Sequence, residues 1–201
     1  MIQRTVEQVF QSYFKPVFVY SDSEEIRNVA MALGAMIPPR PENVSRDEST
    51  SEESMISFIN QYGSSSHEAF ALIQCTTPFL TYEHLNKVYE EFKTGKYDSV
   101  ITVTKMDRFL GYPHMDQSTM FIPIKPYREL RQNCSWSMYM ENGGCYLATK
   151  ELWKSGRRIG LRCGIVTMGW WESLEIDEPL DLEVARLLAP IMENRDGEEE
   201  R

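Results

Sequence analysis

Three short apolar runs, each too brief to be a helix, limit the folds open to this chain. They are Val17-Phe18-Val19-Tyr20, Phe70 to Gln74, and Val100 to Val103. Runs of this kind read as strands buried on both faces. After the first run Ile26, Val29, Ala30 and Leu33 fall at helical spacing, and after the second a helix is predicted from Tyr82 to Lys93. Strands alternating with helices predict an α/β domain, a mostly parallel sheet with helices on both faces. The three runs are expected to be parallel neighbours.

The rest of the chain fits around that frame. Met1 to Tyr13 reads as an amphipathic helix carrying Val6, Val9, Phe10 and Tyr13. Ser21 to Glu25 offers hydroxyls and acids that suit a helix start, and Gly34 suits its end. Pro38 to Ser54 is too polar for a core element, and Met55, Phe58 and Ile59 mark the next helix. Further strands are predicted at Gly144 to Ala148, Arg162 to Met168 and, briefly, Ser173 to Ile176. A short helix opens at Glu151, and the last helix opens at Pro179. Residues 107 to 140 hold three prolines and no clear period, and are expected to form an arm or flap. A single domain would cover 1–190, with 191–201 an acidic tail.

With 201 residues, the chain is long enough for one domain with a substantial core. A net charge of −9 argues against a broad nucleic-acid surface, which needs clustered Lys and Arg. No stretch is long and apolar enough to span a membrane. The first fifteen residues lack the apolar core of a secretory signal. Cys75, Cys134, Cys145 and Cys163 form no CxxC pair of the kind that holds zinc, and their scatter in a chain without an export signal leads to the expectation of reduced thiols and a cytoplasmic setting. His67, His84 and His114 are isolated and read as surface or packing residues.

Ligands of open α/β sheets gather at the carboxyl ends of strands. Gln74-Cys75-Thr76-Thr77-Pro78 leaves a strand with an amide and two hydroxyls, able either to read a base or sugar edge or simply to cap a turn. Glu175 and Asp177 lie two apart, so on a strand they share a face. Two such carboxylates suit Mg²⁺, although Asp177 could instead cap the helix begun at Pro179. Glu141-Asn142-Gly143-Gly144 lets backbone approach a ligand closely, or else makes a hairpin-like turn. Arg40, between prolines, either faces a phosphate or is an exposed loop residue.

Taken in order, these pieces resemble the CMP-sialic acid synthetase family. Val19-Tyr20-Ser21-Asp22-Ser23-Glu24-Glu25-Ile26 is similar to its V-S-T-D-S-E-E-I segment. Arg40-Pro41 through Asp47, Thr50 and Ser51 resembles R-P-x-x-L-A-x-D-x-x-x-S, and Gln74 to Pro78 resembles Q-x-T-S-P. Asp98-Ser99-Val100 resembles D-S-V. Gln132 and Glu141 to Tyr146 resemble R-Q … E-N-G-x-x-Y, and Ser173 to Leu182 resembles S-x-D-I-D-x-P-x-D-L. The likeness runs from Met1 to about Leu188.

The resemblance implies a nucleotide-diphospho-sugar transferase (Rossmann-like) fold. The anomeric hydroxyl of an acidic nine-carbon sugar would attack the α-phosphate of CTP, with Mg²⁺ assisting and pyrophosphate leaving. Asp177 would be the main metal ligand, with Glu175 beside it. Arg40, Gln74, Thr76 and Thr77 would meet the nucleotide, and Gln132, Glu141 and Asn142 the sugar. The arm at 107–140 would make a homodimer. Two departures matter. Glu175 stands where the family usually has Asp, moving the carboxylate by about one bond. The family's opening strand and A-R-x-G-S-K loop have no counterpart, so the first strand of the sheet is expected to be missing and turnover to be weak. The rival expectations are a binding or regulatory module without chemistry, and cytidylyl transfer to another acidic sugar such as KDO, legionaminic or pseudaminic acid.

Overall fold

The computed structural model describes residues 1–106, 110–114, 117–124 and 138–199. Helix α1 (Ile2–Gln11) leads into an extended segment at Val17 to Ser21, then α2 (Glu24–Ala32). Ser23 caps α2 by accepting from the Ile26 amide, and Glu24 and Glu25 sit in its first turn, as the sequence suggests. After α3 (Ser51–Tyr62), β1 (Ala69–Ile73), α4 (Tyr82–Lys93) and β2 (Ser99–Met106) come the hairpin strands β3 (Gly111–His114) and β4 (Gln117–Pro123). The chain ends through β5 (Met138–Thr149), α5 (Lys150–Lys154), β6 (Cys163–Met168) and α6 (Pro179–Glu199). The polar loop expected to reach Ser54 stops earlier. Thr50 and Glu53 form a reciprocal capping box that starts α3 at Ser51. The charged residues expected as a tail are helical as far as Glu199.

The α/β class holds, with helices on both faces. The main sheet has the order β1-β5-β2-β6. β2 pairs in parallel with β6, while β5 runs antiparallel to both β2 and β1. Three of the four strands therefore share a direction, but β1 and β2 are not neighbours, contrary to expectation. No helix lies among the described residues between β2 and β5, and a strand that returns without a crossover helix pairs antiparallel.

The run Val17 to Tyr20 is extended but makes only a single bridge, Phe18 to Met36, and so is not a strand neighbouring β1. Its bonds, Val19 N–H to Met36 O and Met36 N–H to Val17 O, turn the backbone of Phe18 away from Met36. Across from it, β1 is paired on one side only. The Gln74 N–H bonds to Gly144 O and the Lys150 N–H to Glu68 O, which sets the even-numbered residues against β5. Ala69, Ala71 and Ile73 thus turn their peptide groups outward. A cavity of about 720 Å³ lies between these two stretches, lined by Val17 to Ser21, by Ala69 to Ile73 and by the α1 face. The free edge of β1 therefore faces this cavity.

Two clusters cover the sheet. Val6, Val9, Ala30, Leu85 and Val88 from α1, α2 and α4 pack on Val100, Cys145 and Leu147. Met55, Phe58, Ile59, Leu152 and Trp153 from α3 and α5 pack on Ile101, Val103, Tyr146 and Ala148. The alternation along β2 and β5 is the two-residue period of strands buried on both faces. A third cluster joins Ala185 and Met192 of α6 to Phe79 and brings the start of α6 to the end of β1.

Candidate active site

The β2–β5 ladder is broken where it matters most. Between the pairs Ile101–Tyr146 and Val103–Glu141, β2 has one residue and β5 has four, Asn142 to Cys145. This is an extended β-bulge rather than a turn before a strand. Thr102 fills the break, its Oγ1 accepting from the Cys145 amide at 2.9 Å. Gly143 has φ of +67°, and a Cβ there would collide with the Glu175 carboxylate. Glycine suits that positive φ, and the Glu175 carboxylate lies in the space a Cβ would take.

The bulge is the floor of a corner built from three segments. Asn142 is 1% exposed. Its Nδ2 donates to Ser173 Oγ at 2.9 Å and to Met168 Sδ at 3.1 Å, and its Oδ1 accepts from the Gly144 amide. Thr77, 2% exposed, donates through Oγ1 to the Asn142 carbonyl at 3.0 Å. The Ile176 amide donates to Thr76 O at 2.8 Å, which binds the Glu175–Asp177 segment to the turn after β1. That segment has no regular secondary structure and Ser173 lies in a turn, where a strand was expected at Ser173 to Ile176. Asp181 holds its end, Oδ2 accepting from the amides of Asp177 and Glu178.

The corner is anionic. Burial, then the neighbouring charge of Asp177, pushes the Glu175 carboxyl above its ordinary value. Thr76 Oγ1 is buried with no hydrogen-bond partner, the only such side-chain atom among the described residues. A buried hydroxyl without a partner among the described residues, on the turn that bonds to the Glu175–Asp177 segment, suits an incoming polar ligand. Among the described residues no three metal-ligand side chains cluster. A pair of carboxylates nevertheless fits Mg²⁺, which keeps several waters and takes its remaining ligands from phosphate.

The structure brings together Thr76, Thr77, Asn142, Glu175 and Asp177, and Gln74 meets the bulge through its backbone bond to Gly144. It places Arg40 elsewhere and holds Glu141 at the end of the bulge. Arg40 bonds to Val44 O of its own loop and to Ser54 Oγ of α3 at 3.0 Å, with Tyr20 beneath it at 5.8 Å. It shares the large cavity with Cys75. The Glu141 side chain accepts from Tyr146 Oη at 3.1 Å. Gln132 lies outside the described residues. Ser173, Met168 and Thr102 were missed by sequence reading, because their role depends on a bulge that no local pattern announces.

This corner forms where the turn after β1 meets the β2–β5 bulge, and the carboxyl end of a strand is where open α/β sheets gather their ligands. The chain belongs to the cytidylyltransferase family, whose model matches residues 1–114. It is 30% identical over 190 residues to the N-acylneuraminate cytidylyltransferase of Escherichia coli O18:K1:H7 (strain RS218 / NMEC), covering 92% of this chain and 45% of the relative. It is 33% identical over 181 residues to N-acylneuraminate cytidylyltransferase A of Danio rerio, covering 88% and 41%. The chain thus spans less than half the length of these curated relatives. In fold it is similar to 4-diphosphocytidyl-2C-methyl-D-erythritol synthase from Anaerococcus prevotii DSM 20548, with a TM-score of 0.70, 13% identity, and 94% and 85% of the two chains covered.

Proposed function

We propose that this chain acts as a cytidylyltransferase that joins CMP from CTP to an acidic sugar of the sialic acid type and releases pyrophosphate. The observation that carries the reading is the Glu175–Asp177 pair, held against Gly143 and Thr76 with a raised Glu175 carboxyl. The names of the relatives support the substrate class. Glu175 and Asp177 would hold Mg²⁺, which neutralises triphosphate charge when bound. The chain's own residues do the rest. The Thr76 hydroxyl and the Gln74 amide lie where the nucleotide meets the sugar. Asn142 positions the floor through Ser173, Met168 and Thr77. Water and the protein surface take the proton lost by the attacking sugar hydroxyl.

The reading includes a homodimer through residues 107–140, supported by the separate β3–β4 hairpin and by Tyr112 and Ile124, which are 56% and 50% exposed beside it. It includes a cytoplasmic setting, supported by Cys75, Cys145 and Cys163, none of which is paired. No helix among the described residues is long and apolar enough to cross a membrane. A binding module without chemistry is the second reading, favoured by Arg40, whose guanidinium is already committed to the Val44 carbonyl and the Ser54 hydroxyl. Pyrophosphate release from CTP and Mg²⁺, with N-acetylneuraminic acid or KDO as acceptor, separates the two. Slow release that N-acetylneuraminic acid stimulates and Asp177→Ala removes is expected. CTP binding without release under any acceptor would favour the module.

A further inference from the structure

Glu141 and Tyr146 are five residues apart on β5. In a regular strand they would be about 16 Å apart and on opposite faces. Here they bond at 3.1 Å, because they are the two ends of the bulge. Tyr146 is itself held. The Arg158 guanidinium lies 4.8 Å from its ring centre and grips Glu52 in a two-pronged pair at 2.5 and 2.8 Å. Glu52 stands in the first turn of α3, where a helix favours an acid. The Arg158 bond holds the Glu52 carboxyl below its ordinary value, while burial and Glu141 push the Tyr146 phenol up to about 12. Arg158 is therefore neutralised and unsuited to carrying a ligand anion. Glu141 is an exposed residue whose second oxygen has no partner among the described residues.

We propose that Tyr146 and Arg158 are positioning residues: anchored by Glu52, they clamp the bulge shut and aim the free oxygen of the Glu141 carboxylate at a hydroxyl of the acceptor sugar. The proposal rests on the cytidylyltransferase reading for its ligand, and on the geometry alone for its clamp. A carboxylate repels the acid group of such a sugar and accepts from its hydroxyls, so this contact also fixes which end of the acceptor faces β5.

The test is a double-mutant cycle on pyrophosphate release with the full chain, at saturating CTP and Mg²⁺ and varied N-acetylneuraminic acid. Glu141→Gln is expected to raise the sugar KM about tenfold, and Tyr146→Phe or Arg158→Lys about fivefold, with kcat and the CTP KM unchanged. Glu141→Gln with Tyr146→Phe should be no worse than Glu141→Gln alone. Additive effects, or an equal change in the CTP KM, would overturn the aiming of Glu141. Amide exchange at Gly143 and Gly144 decides the clamp without any turnover. Tyr146→Phe should speed it at least about tenfold while leaving Val100 and Ile101 unchanged. Unchanged exchange at the glycines overturns the clamp. A wild-type chain with no sugar-dependent release, but with faster glycine exchange in the variant, would sink the cytidylyltransferase reading and leave the clamp standing.

Discussion

β1 and β2 are both apolar strands that pair with β5, and they live in different circumstances. β2 has β5 on one side and β6 on the other, and every residue from Ser99 to Thr104 is buried. β1 has β5 on one side and a cavity on the other, and all five of its residues are only partly buried. The polar side chains of β2 are used, as when Thr102 accepts from the bulge. The hydroxyl just beyond β1, on Thr76, has no partner among the described residues. The candidate site therefore has a closed floor, the bulge over β2, and an open lip, the turn after β1. A floor so fixed holds a geometry, and a lip whose Thr76 hydroxyl is unpartnered among the described residues can admit a ligand.

The largest test of this contrast is in packing. Trp153 is fully buried and donates from Nε1 to Phe70 O at 2.9 Å, joining the closed core to β1. Trp153→Ala should cost about 3–5 kcal/mol in denaturant unfolding. Ile73→Ala, on the cavity side, should cost about half that or less. Equal losses would break the contrast. Next comes one chemical change made twice. Thr102→Val leaves the Cys145 amide without its acceptor and should cost about 1–3 kcal/mol. Thr76→Val removes a hydroxyl that has no partner among the described residues and should change stability by less than about 0.5 kcal/mol. A Thr76→Val loss as large as that of Thr102→Val would show that the lip is tied down.

Exchange of the outward amides of Ala69, Ala71 and Ile73 should outrun that of Val100 to Thr104 by on the order of 10²-fold. Matching protection would mean that the open edge is closed in solution. The smallest effect concerns charge. A carboxyl whose value is raised on folding stabilises fully below its ordinary value, and that contribution is lost as pH rises through the raised one. Glu175→Gln should therefore raise the melting temperature at pH 7 by about 1–2 °C and leave it unchanged at pH 4. A drop at pH 7 would place a cation beside Glu175.

Much of this was legible in the sequence, for physical reasons. The Tyr82–Lys93 helix carries its apolar period on its face, and α4 has those bounds. The Ser23 cap and the acids after it mark a helix start by local chemistry alone. Strand order was not legible. Val17 to Tyr20 and Phe70 to Gln74 look alike as apolar runs, yet one makes a single bridge and the other a strand, because pairing is a long-range property. The nearness of Thr76 and Asp177 followed from carboxyl-end logic, whereas the bulge did not. Asn142-Gly143-Gly144 reads as a turn until Thr102 is seen across from it. Arg40 misled for a related reason: a proline-flanked guanidinium finds the Val44 carbonyl only four residues away.

The most direct measurement is paramagnetic broadening by Mn²⁺, standing in for Mg²⁺, in amide and carboxyl NMR spectra of the chain with CTP present. The account predicts broadening centred on Glu175 and Asp177, spreading to Gly143 and Thr76, and sparing Val44 and Ser54 around Arg40. Broadening that gathers at Glu24 and Glu25 or along the acidic end of α6, with Gly143 and Thr76 sharp, would contradict it.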